Sequence, residues 1–121
     1  MSDIIRKFLN QKPYSFSLNN IERNVTKKPG IYGFTYKKYP IYIGMSDSLN
    51  RRMKEYFKIN KYSRENPDLM EWIIDFRQKL TIKTLKLDSM AIHDIEELEE
   101  LLIKTLNPHS NIRHNKYKLY N

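Results

Sequence analysis

Two short runs rich in β-branched and aromatic residues, Ile31 to Tyr36 and Ile41 to Gly44, flank the tetrapeptide Lys37-Lys38-Tyr39-Pro40. Such residues suit a pleated, half-buried surface, and so short a break leaves the chain little choice but to reverse. The pattern therefore predicts an antiparallel hairpin. Lys27-Lys28-Pro29-Gly30 marks a turn just before it. A lone hairpin is barely stable in water, so the remaining elements must cover it.

Those elements are readable in outline. Residues 2–10 predict a short helix that stops before Lys12-Pro13, because the residue ahead of a proline disfavours helix. Ser17 can cap a second short helix carrying Leu18, Ile21 and Val25. After the hairpin, Asp47 or Ser48 caps a helix to Phe57, and Asn66-Pro67 opens another bearing Leu69, Met70, Ile73, Ile74 and Phe76. Thr81 to Leu87 reads as a strand. A long helix then begins at Asp88 or Ser89 and ends near Leu106, ahead of Pro108. The expectation is an α+β domain in the order β-β-α-α-β-α: a small, three-stranded, mostly antiparallel sheet flanked by helices. Residues 1–28 form an N-terminal extension, 29–111 the core and 112–121 a basic tail.

With 121 residues, of which 40% are hydrophobic, the chain fits one domain with one core and no second domain. It has no cysteine, which excludes disulfides and thiolate zinc ligation. No run approaches the ~20 apolar residues of a membrane span, and the first residues lack the pattern of a secretory signal. A cytoplasmic protein that avoids membranes is expected. The formal net charge is +8, but it is uneven. Residues 88–104 hold six acids and one lysine, a net −5, which leaves +13 on the rest of the chain. A basic surface of this kind suits a polyanion such as nucleic acid, although a lysine-rich solvated surface would give the same count.

Two side chains are out of place on their helices. Around the long helix, Ile92, Ile95, Leu98, Leu102, Ile103 and Leu106 form one apolar face, and Glu99 falls inside it. A carboxylate there needs a cation or a hydrogen-bond partner. Either it ends the stripe paired with a lysine or arginine, or it serves a site. On the helix after the hairpin, Arg52 lies on the shoulder of the apolar face beside Tyr56, whereas Arg51 and Lys54 point to solvent. Taken alone, such an arginine can simply snorkel.

The hairpin carries Gly30-Ile31-Tyr32 and, ten residues on, Tyr42-Ile43-Gly44, followed by SDSLNRRMKEYF. This resembles the GIY-YIG nuclease family, which includes homing endonucleases and the incision domain of bacterial excision repair. In that family an arginine lies eight residues after the second tripeptide, here Arg52, and a tyrosine or histidine follows one turn later, here Tyr56. The family glutamate precedes an Ile-Lys pair by four residues; Ile103-Lys104 points to Glu99. An asparagine past the helix, in Pro108-His109-Ser110-Asn111, matches Asn111. The resemblance runs from about Pro29 to Asn111. One departure is Met45, where many relatives carry a lysine able to contact phosphate.

The resemblance implies an endonuclease that hydrolyses phosphodiesters, DNA more readily than RNA, with Mg²⁺ or Mn²⁺ held by Glu99. It implies Tyr32 as general base, Tyr42 and Tyr56 orienting water or phosphate, Arg52 stabilising the phosphate and Asn111 positioning the site. A tyrosine base would need its pKa lowered, which the metal and Arg52 could supply. Arg51, Lys54, Arg113 and Lys116 are expected to touch substrate, and a protein partner or a homodimer to supply target choice. The histidines show no metal-ligand spacing. The rival readings are a nucleic-acid-binding module of the same fold that does not cut, and a basic protein-interaction adaptor.

Overall fold

A computed structural model of the chain describes residues 2–111. Arg113 and Lys116, with the rest of the basic tail and His114, lie outside the described residues. In chain order the elements are α1 (Ser2–Leu9), β1 (Tyr14–Ser15), α2 (Leu18–Asn24), β2 (Gly30–Tyr36), β3 (Tyr39–Ser46), α3 (Leu49–Phe57), α4 (Pro67–Phe76), a 3-10 turn at Arg77–Lys79, β4 (Leu80–Lys86) and α5 (Ile92–Leu106). The fold is α+β, as the sequence predicts. The sheet has four strands rather than three, in the order β1-β4-β2-β3, and every neighbouring pair is antiparallel. The additional strand, β1, is two residues long and exists through its pairing with Thr81 and Ile82.

The hairpin is tighter than its composition suggests. Tyr36 pairs with Tyr39, so only Lys37 and Lys38 turn the corner, at φ 48 and 73. Positive φ at both central residues gives the twist that matches two right-handed strands. The register slips between Phe34 and Thr35, where Phe34 faces Tyr42 and Thr35 faces Pro40. Pro40 is tolerated because β3 is an edge strand, where a missing N–H costs no ladder bond.

Strand alternation divides the core between the two faces of the sheet. Tyr32 and Phe34 pack with Leu49, Met53, Tyr56, Leu69 and Ile73, which places α2, α3 and α4 over one face. Ile31, Ile43 and Leu85 pack with Phe8, Ile95, Leu98, Leu102 and Ile103, which places α1 and α5 over the other. The helix starts follow side-chain caps: Ser17 accepts from the Asn20 N–H, Ser48 from Arg51, and Asn66 from Asp68 and Leu69. α5 departs from this rule. It starts at Ile92, three residues past Ser89, because Asp88 and Ser89 lie in a turn closed by the Met90 N–H on the Leu87 carbonyl. Ile92 consequently sits in the first helical turn at 60% exposure, and the buried stripe begins at Ile95.

Candidate active site

The cross-strand pair Tyr32 and Gly44 explains why the two tripeptides belong together. A Cβ added at Gly44 would overlap the hydroxyl and ring of Tyr32. Glycine there leaves room for the phenol to lie across β3. Gly30 is constrained in a different way, since a Cβ would run into the backbone carbonyl of Leu85 on β4. Each terminal glycine thus clears space for a specific neighbour.

Tyr32 and Tyr42 project from adjacent strands onto the face covered by α3, and Tyr56 meets them from that helix. The ring centroids of Tyr32 and Tyr42 are 6.2 Å apart, and those of Tyr32 and Tyr56 are 5.5 Å apart. The Tyr32 and Tyr56 hydroxyls are hydrogen-bonded at 2.6 Å. One turn before Tyr56, Arg52 lays its guanidinium 4.2 Å from the centre of that ring, and its Nη2 donates to the Tyr56 hydroxyl at 3.0 Å. The i,i+4 spacing on α3 makes this possible. Arg52 therefore holds a defined place, its side chain 25% exposed against 56% for Arg51.

Arg52 has a further partner that pattern reading missed. Glu65, from the segment between α3 and α4, meets Nη1 at 2.9 Å and Nη2 at 3.0 Å in a two-pronged pair. Glu55 adds a contact to Nη1 at 3.1 Å. The one available signal for Glu65 was physical: a half-buried guanidinium needs an anion, and an acid stands in the next loop.

Burial sets the protonation of the cluster. It pushes the Tyr32 phenol above its ordinary pKa, reinforced by Tyr42, and the opposing effects of the Tyr56 hydrogen bond and the Arg52 charge are smaller. Burial, then the neighbouring phenols Tyr32 and Tyr42, push Tyr56 up as well. In the protein alone, that is the reverse of the direction a tyrosine base needs. For Arg52, burial works against the charge, but the Glu65 carboxylate and the phenols outweigh it and the pKa is raised. The chain's own groups thus present neutral phenols beside a fixed cation.

Asn111 reaches the edge strand. Its side chain accepts from the Ile43 N–H at 2.9 Å and donates to the Ile43 carbonyl at 2.8 Å, so it pairs with the middle residue of the second tripeptide as another strand would. Around it, the Ser110 N–H donates to the Ile41 carbonyl and the Ser110 hydroxyl to Asp68. Glu99 is half-buried on α5 between the buried Leu98 and Leu102, on the helix that packs against β3. Met45 packs half-buried against the α5 layer. Of the other expected contacts, Arg51 is exposed and pairs with Asp47, whereas Lys54 does not point freely to solvent: it is half-buried and bridges from α3 to Glu22 on α2. His93 is exposed and pairs with Glu97, and His109 is exposed and packs edge-on against Trp72.

A hairpin that seats a buried phenol against an arginine-bearing helix, closed by an asparagine on its edge strand, has the make-up of a GIY-YIG domain. A profile of the UvrC-like GIY-YIG domain matches residues 28–112. UvrABC system protein C of Nitrosococcus oceani is 30% identical over 99 residues, 81% of this chain and 15% of that protein. Its counterpart from Aquifex aeolicus is 36% identical over 63 residues, 47% of this chain and 11% of that protein. The chain thus spans a small fraction of these relatives. The crystal structure of the N-terminal GIY-YIG endonuclease domain of UvrC from Thermotoga maritima, bound to its catalytic magnesium, superposes with a TM-score of 0.56 at 26% identity. That match covers 92% of this chain and 99% of the other. The chain belongs to the UvrC-like GIY-YIG family, and its fold is that of an endonuclease domain.

Proposed function

We propose that the chain is a divalent-metal-dependent endonuclease that hydrolyses phosphodiester bonds in DNA. The observation that carries this reading is the cluster in which both tripeptides and α3 converge: three phenols packed together, with Tyr56 among them bonded to the Arg52 guanidinium. The solved UvrC domain with its catalytic magnesium supports the reading.

The donor set fits a hard cation. Among the described residues no group of three or more His, Cys, Asp or Glu side chains gathers as a metal cage. What is present is the half-buried carboxylate of Glu99, and a single oxygen donor suits Mg²⁺ or Mn²⁺, which keep several waters. Glu99 would hold the ion. When bound, the ion supplies Lewis-acid stabilisation of the leaving oxygen.

The chain's own residues do the rest. Arg52 offers a planar, always-charged fork to the phosphate, in an orientation fixed by Tyr56 beneath it. Because the charge on the phosphoryl oxygens is redistributed in the transition state, a pre-aimed guanidinium lowers the barrier without reorganising. Tyr42 and Tyr56 orient water and phosphate through their hydroxyls, and Tyr32 is the first choice for activating water, a role that would require a bound cation beside Arg52 to offset the burial that raises its pKa. Asn111 positions β3. Arg51 and Lys54 on α3, and Arg113 and Lys116 in the tail, supply outlying phosphate contacts. Target choice comes from a protein partner or a second copy, in keeping with relatives named as components of the UvrABC system.

The test is nicking of supercoiled plasmid by wild type and Glu99→Ala, each with Mg²⁺ and with EDTA. Nicked circles are expected from wild type with Mg²⁺ alone. Equal cutting by both proteins would remove Glu99 from the reaction.

A further inference from the structure

The fork of Arg52 is already filled. Nη1 donates to Glu65 and to Glu55, and Nη2 donates to Glu65 and to the Tyr56 hydroxyl. Each terminal nitrogen of a guanidinium carries two hydrogens, so these four bonds use every terminal donor. A phosphodiester would approach the same fork with the same equipment as a carboxylate: two oxygens sharing one negative charge. It cannot take a two-pronged grip on Arg52 while Glu65 holds one. Two carboxylates around one guanidinium also leave a local excess of negative charge facing an incoming anion.

The three partners differ in how readily they can leave. Tyr56 and Glu55 are on α3 with Arg52 itself. Glu65 is in the connecting segment, one residue ahead of the Asn66 cap of α4, and can withdraw without disturbing the helix that carries Arg52.

We propose that Glu65 is an internal stand-in for the substrate phosphate: it holds Arg52 in its phosphate-binding pose when DNA is absent and is displaced when a phosphate enters. Glu65 is then a positioning residue whose displacement sets how tightly the site accepts DNA. This rests on the reading of Arg52 as the phosphate brace.

The experiment is a double-mutant cycle on DNA binding in EDTA, where no cutting interferes. The affinity for a fluorescein-labelled 30-base-pair duplex is measured by anisotropy at fixed salt for wild type, Glu65→Gln, Arg52→Ala and the double variant. Glu71→Gln, on the exposed side of α4, controls for the loss of one negative charge. Unfolding curves on each variant confirm a folded state. Glu65→Gln should tighten binding about tenfold, ~1.4 kcal/mol, while Glu71→Gln changes it by less than about threefold. The gain should vanish in the Arg52→Ala background. A Glu65→Gln affinity matching that of Glu71→Gln, or an equal gain without Arg52, overturns the stand-in. Because binding is read without cleavage, that failure leaves the nuclease reading standing, and absent nicking alongside the expected cycle would do the reverse.

Discussion

The hydroxyls of Tyr32 and Tyr56 stand 2.6 Å apart although 24 residues separate them in the chain. One comes from the first tripeptide on β2 and the other from α3, so the bond joins the hairpin to the helix that carries Arg52. Its burial has a measurable consequence. Both phenols have pKa values raised by burial, so both are held neutral by the fold. Unfolding returns them to an ordinary value of about 10, where they ionise. Their stabilising contribution is therefore complete below about pH 10 and is lost as pH rises above it. In an absorbance titration of the nine tyrosines, two should ionise only as the chain unfolds. Tyr32→Phe should flatten the fall in urea midpoint between pH 9 and 11. An unchanged slope would show that the phenol is not shielded as described.

The last glycine of the second tripeptide makes room for Tyr32 rather than for a special backbone angle, since no glycine among the described residues has positive φ. Gly44→Ala should therefore lower stability by about 1–3 kcal/mol, the usual effect of overfilling a packed site. Tyr32→Ala should relieve part of that loss in the double variant. Additive effects in denaturant melts would contradict the contact.

Asn111 makes paired bonds with the backbone of one edge-strand residue, Ile43. Asn111→Ala leaves a buried N–H and C=O without those partners and should cost about 1–3 kcal/mol. Its effect on cleavage by the protein that remains folded should be smaller than that of Arg52→Ala. A variant of normal stability that does not cut would instead give Asn111 a direct part in the chemistry.

Much of this arrangement is legible in sequence because it is set by short-range rules. Ser17, Ser48 and Asn66 all cap helices where the pattern places them, and the alternation of Ile31, Tyr32 and Phe34 sorts them to opposite faces. What escapes is what depends on distant neighbours. Tyr14–Ser15 is too short to carry a pattern and becomes a strand only through Thr81 and Ile82. Ser89 has the chemistry of a cap but is used in a turn. Glu65 looks like any loop acid, and its tie to Arg52 spans 13 residues. The rise in the Tyr32 pKa escapes for the same reason: the charge of Arg52 can be anticipated from helix spacing, whereas burial by Gly44, Phe34 and Tyr56 belongs to the folded core.

The most direct test of Arg52 as the phosphate brace of a nuclease is its substitution by alanine under single-turnover conditions, with Mg²⁺ present and DNA saturating. Its contact should strengthen as charge redistributes on the phosphate, so the cleavage rate constant should fall by about 10²–10³ while DNA affinity changes only a few-fold. Turnover preserved at saturation, with the whole loss in affinity, would contradict that role.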